Sequence, residues 1–138
     1  MEKRKNMKTG ELARMLALIA GGMDLATGVG LVFAPAWTLG WMQVTPPGVE
    51  ALIFLRWVGA FVGAVGASYL VAWGRGGALC LREVFISTLW FRAAAGGYCL
   101  AEVLAGGLEV RWLVVAATDF TLVGAQILLL RRRGWSDV

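Results

Sequence analysis

Long apolar runs, broken by short glycine-, proline- or charge-containing segments, dominate the chain. Four runs stand out: Leu12 to Leu39, Ala51 to Trp73, Val84 to Ala105 and Val110 to Leu130. A hydrocarbon core of about 30 Å needs roughly 20 mostly apolar residues per helix, so the pattern predicts four transmembrane helices. The breaks fit this division. Thr45-Pro46-Pro47-Gly48 is a turn-forming segment. Gly74-Arg75-Gly76-Gly77 propagates a helix poorly, and Gly106-Gly107 separates the last two runs.

Composition agrees. Of 138 residues, 59% are hydrophobic and 16% charged, with a mean hydropathy of +0.70. Soluble domains are closer to 45–50% apolar and about 25% charged. A chain this short cannot hide the surplus in a soluble core, which excludes a soluble enzyme, a disordered chain and a disulfide scaffold. There is no histidine, so a Ser-His-Asp triad, a histidine-ligated haem and histidine-based zinc sites are excluded too. The fold class expected is all-α, an integral membrane four-helix bundle forming one domain over residues 1–138.

Lysine and arginine placement gives an orientation. With the N-terminus inside, the cytoplasmic flanks hold Lys3, Arg4, Lys5, Lys8, Arg14, Arg75, Arg82 and Arg131–Arg133. The other side holds Arg56 and Arg111. The reading is N-in, C-in. Tryptophans follow it: Trp37, Trp41, Trp57 and Trp112 fall at the outer interface, Trp73 and Trp135 at the inner one, and Trp90 well inside span three. The first run is too long for a signal-peptide core and contains Asp24, so it reads as an uncleaved helix.

Cys80 and Cys99 share the third helical arm. Along a continuous helix they lie about 28 Å apart, too far for a disulfide, which needs Cα atoms within about 7 Å.

Every span carries small residues suited to close helix packing: Gly21, Gly22, Gly28 and Gly30; Gly59, Gly63 and Gly66; Ala93 to Gly97; Ala116, Ala117, Gly124 and Ala125. A short internal repeat pairs Ala20–Ala26 with Ala95–Ala101, and Leu55-Arg56-Trp57 with Val110-Arg111-Trp112.

The candidate chemistry lies in charges within the spans. Asp24 and Asp119 fall near mid-bilayer, Arg92 slightly toward the cytoplasm, and Arg56 in the outer part of span two. Such groups are costly in lipid and normally face the bundle interior in pairs. Helical spacing places each on a small-residue stripe. The expectation is one neutral polar cluster of Asp24, Arg56, Arg92 and Asp119. Tyr69, Trp90, Tyr98 and Gln126 are candidates to line a cavity beside it. The cluster reads either as a device that fixes helix register or as a site for a ligand, proton or quinone.

The run Leu55-Arg56-Trp57-Val58-Gly59 with Gly66 and Tyr69, the mid-span Arg92, and Thr118-Asp119 with Gln126 resemble small bacterial four-helix membrane proteins of the DoxX-like type. The resemblance spans all four helices and rests on scattered residues. It implies a multi-pass bundle in the bacterial cytoplasmic membrane. Some such proteins resemble the small subunit of a thiosulfate:quinone oxidoreductase, which implies proximity to quinone chemistry.

No nucleophile–base pair, metal-ligand set or intrinsic cofactor motif is present in the sequence. Quinone or lipid is the candidate small molecule. The basic residues flank the membrane instead of forming one folded face, which argues against nucleic acid. The function expected is a non-catalytic accessory subunit of a larger respiratory or photosynthetic membrane complex, with the bilayer and other membrane subunits, or copies of itself, as partners. The alternative is a small transporter or a ligand- or quinone-binding protein built on the Asp/Arg cluster.

Overall fold

The computed structural model describes residues 9–75, 77–133 and 135; the orienting charges Lys3, Arg4, Lys5 and Lys8 lie outside the described residues. The chain is all-α: α1 (Thr9–Phe33), α2 (Pro35–Trp41), α3 (Val49–Arg75), α4 (Ala78–Ala105), a 3-10 turn (Val110–Trp112) and α5 (Leu113–Leu130). Four helical segments are long and apolar enough to cross a membrane: α1, α3, α4, and the 3-10 turn together with α5.

The first run does not continue to Leu39. It breaks at Ala34, and the physical cause is Pro35. Proline has no N–H to offer the carbonyl of Leu31, and it drives the preceding residue out of the helical region. Ala34 accordingly sits at φ −140°, ψ 59°, with Pro35 opening α2. The resulting short helix exposes Trp37 and Trp41, whose rings meet edge to face with centroids 5.6 Å apart. At the far end of α4, Gly106 adopts φ 79° and the N–H of Gly107 reaches back to the carbonyl of Glu102 at 2.8 Å. This is a left-handed C-cap, where the Gly-Gly pair was expected to stop the helix.

Packing is inside-out relative to a soluble protein. Phe33, Trp37, Phe54, Trp57, Trp90 and Leu104 are exposed, whereas Ala13, Ala17, Ala20, Gly21, Gly28, Gly59 and Gly66 are buried. Lipid is as apolar as leucine, so helices here associate by close backbone approach. Antiparallel α1 and α3 form the tightest pair. A Cβ added at Gly28 would lie 2.7 Å from the carbonyl oxygen of Gly59, and one at Gly21 would lie 2.7 Å from the Cβ of Tyr69. In the second pair, Gly96 of α4 faces the Cβ of Asp119 on α5 at 3.1 Å. Gly21 and Gly96, matched in the internal repeat, are both close crossing points. Matching them pairs Tyr69 with Asp119 and Gly66 with Ala116. Arg56 then falls opposite Gly106 instead of Arg111, so the second half of the repeat is out of register.

At the end carrying the described termini, a bulkier core of Leu81, Phe85, Leu122, Leu129 and Trp135 closes the bundle. Trp135 does not join an interfacial belt. It is buried, packs edge to face on Phe85 at 6.0 Å and donates Nε1–H to the carbonyl of Leu129.

The glycine contacts give a direct test. Gly66→Val should separate α1 from α3 and cost more than the roughly 1–3 kcal/mol of ordinary overpacking, because the obstacles are the backbone N of Leu25 and O of Gly21. Gly22→Ala and Gly97→Ala face open space and should leave stability unchanged or slightly raised. Denaturation in mixed detergent micelles, followed by circular dichroism, measures all three.

Candidate functional site

The two helix pairs meet across a polar seam centred on Arg92. Three residues on α4 prepare it: Thr88 and Phe85 lie one and two turns before Arg92, and Gly96 one turn after, all buried on one face. Helical periodicity therefore aims the guanidinium into the bundle. Its side chain is 4% exposed. Nη2 donates to Oδ2 of Asp24 on α1, Nη1 donates to Oδ1 of Asp119 on α5 at 2.9 Å, and Nε donates to Oη of Tyr69 on α3 at 3.3 Å. The guanidinium carbon also lies 5.5 Å from the centre of the Tyr69 ring. One side chain on α4 thus bonds to each of the other three membrane-crossing helices.

A neutral network continues from it. Tyr69 is wholly buried, and its hydroxyl lies 2.6 Å from Oγ1 of Thr88. Thr88 donates its own proton to the carbonyl of Val84 at 2.7 Å. With that bond made, its oxygen accepts from Tyr69 and from Nε2 of Gln126, 3.1 Å away. Gln126 Nε2 also donates to Tyr69 Oη. The protons then run from Tyr69 to Thr88 to Val84. In this arrangement the amide nitrogen of Gln126 faces the two hydroxyls. Its Oε1 is buried and has no partner among the described residues.

Of the four charges expected to converge, Asp24, Arg92 and Asp119 do so. Arg56 does not. It is exposed and lies about 20 Å along α3 from Tyr69 at 1.5 Å per residue. The stripe it flanks, Gly59 and Gly63, serves contact with α1 instead of the polar seam. Among the candidate cavity residues, Tyr69 and Gln126 belong to the network, while Trp90 and Tyr98 are 72% and 65% exposed and face outward. Thr88 is the member that residue-by-residue reading undervalued. The signal was its place four residues before Arg92, on the same helical face.

A hollow of about 280 Å³ opens between α3 and α4, flanked by Phe61 and Phe91, with Ser68, Ser87 and Thr88 among its lining residues. A second, of about 470 Å³, lies beside Trp37 and Trp41 near Gln43. There the carbonyl of Gln43, a residue at φ 56°, accepts a bond from Nη1 of Arg111 and ties the end of α2 to the start of the last span.

The network makes unequal demands on its members. Arg92→Gln leaves two buried carboxylates without their cation and should destabilise the bundle by about 3–5 kcal/mol. Tyr69→Phe strands donors from Arg92 and Gln126 and should cost about 1–3 kcal/mol. Equilibrium unfolding in mixed micelles ranks the two; equal, small effects would show that the seam contributes little. No family model, curated protein or solved structure matches the chain, so the reading of its function rests on this geometry.

Proposed function

We propose that the protein is a non-catalytic subunit of a larger membrane assembly, of the DoxX-like architectural type. In this reading it is seated in a bacterial inner membrane with both termini cytoplasmic. The observation that carries the reading is the internal use of Arg92. A guanidinium is the side chain best suited to hold an anionic substrate. Here it donates to Asp24, Asp119 and Tyr69 and is almost fully buried. A centre satisfied in this way acts as a latch between helix pairs. The basic side chains at helix ends support the orientation. Arg75, Arg82, Arg131, Arg132 and Arg133 cluster at one end of the bundle, and Arg56 and Arg111 at the other.

The hollow between α3 and α4 supports a second reading, a site for a membrane-borne ligand such as a quinone or lipid. It opens on the side of the bundle and has Thr88, a member of the polar network, in its wall.

Mild-detergent extraction at native expression, followed by intact-assembly mass measurement, separates the two. The accessory reading expects a defined stoichiometric complex with larger subunits. A lone monomer or homo-oligomer carrying a quinone or lipid overturns it in favour of the second. Reporter fusions at either terminus should be active only on the cytoplasmic side; activity on the opposite side would overturn the orientation.

A further inference from the structure

The polar seam lacks positive charge and hydrogen-bond donors at the same time. Asp24 and Asp119 are both ion-paired with Arg92. Two carboxylates against one guanidinium leave a formal charge of −1, because Arg56 stands outside the seam. An unbalanced charge within a membrane-crossing bundle is costly and calls for a neutralising partner. The second deficit is independent of the first. The amide oxygen of Gln126, in a side chain only 1% exposed, is an acceptor with no donor among the described residues. An anion or an apolar ligand leaves the charge unrepaired, whereas a small cation neutralises it.

We propose that the Asp24–Arg92–Asp119 seam is a proton-binding site that holds one exchangeable proton per chain, taken from water, on its carboxylate pair. The titratable groups that face it are Asp24 from α1, Tyr69 from α3, Arg92 and Cys99 from α4, and Asp119 from α5; α2 contributes none. The step is a simple addition. One aqueous proton joins one carboxylate oxygen, and the formal charge of the seam rises from −1 to 0. The proton is favoured over a metal cation by space. Neither hollow described above includes Asp24 or Asp119 in its lining, and their oxygens already lie against the guanidinium. A proton needs no room, whereas a sodium ion needs several further oxygen ligands. Asp119, at 14% side-chain exposure against 10% for Asp24, is the more open of the two to exchange.

The test is infrared spectroscopy of the full chain reconstituted in bilayers, unlabelled and with ¹³C-carboxyl aspartate, in H₂O and D₂O. At neutral pH the protonated-carboxyl band should correspond to one aspartate per chain, shift with the label and shift on deuteration. Asp24→Asn and Asp119→Asn each make the seam neutral without a proton, so either should reduce the band from one per chain to none while circular dichroism retains the helix content. Replacing potassium with sodium at constant pH should leave it unchanged. Absence of the band in the wild-type protein overturns the proposal, as does a band of full size in both variants. A band abolished by sodium identifies a metal-cation site instead and overturns it equally. If neither variant folds, the wild-type, labelled and sodium measurements still decide. The result is separate from the intact-assembly mass, so this proposal and the accessory-subunit reading fail independently.

Discussion

A guanidinium placed inside a bilayer must direct its donors at protein, and the arrangement of this bundle follows from how Arg92 meets that demand. Its three nitrogens reach one residue on each of the other membrane-crossing helices. Dispersion forces between helices are matched by those between helix and lipid, so apolar contact alone gives little reason for one helix pair to choose another. An ion pair in hydrocarbon is different. Any arrangement that separates Arg92 from Asp24 or Asp119 leaves a charge without a partner. The seam therefore specifies how the pairs dock, and its strength comes from the cost of every alternative.

Within each pair the physics changes. α1 meets α3 at glycines, with backbone against backbone at Gly28 and Gly63 and at Gly21 and Gly66. Side chains there would push the helices apart. α4 meets α5 at Gly96, where the missing Cβ leaves room for Asp119 to turn toward Arg92. The glycine contact and the polar contact are thus one device in the second pair. Small residues bring the backbones close enough for a short aspartate side chain to reach the guanidinium. A buried aromatic ladder continues from Tyr69 through Phe85 to Trp135.

Much of this was legible along the chain, and the failures share a cause. Periodicity and length identified four spans because a lipid-facing helix must be apolar over about 30 Å whatever it packs against. The helical spacing of Asp24, Arg92 and Asp119 among small residues placed them inside, because a lone charge has nowhere cheaper to go. Arg56 obeys the same local rule yet lies outside the seam, since a long side chain near a helix end can run along the surface toward the interface. Trp90, Tyr98 and Tyr69 look alike as aromatics within spans, but two face outward and one is the centre of the network. Pro35 carried its own signal, and the run to Leu39 overrode it only because apolar content continued past the break.

The sequence by itself determined the solvent, the number of spans, the helix breaks other than the one at Pro35, and the interior placement of three charges. Each depends on local composition and on the energetics of a single helix in lipid. Tertiary structure decided which charges meet, that the seam is left one positive charge short, and that Thr88, Tyr69 and Gln126 complete it. Those outcomes depend on the rotation and register of one helix against another. A glycine contact or a turn of helix sets them, and residues far apart along the chain share the result.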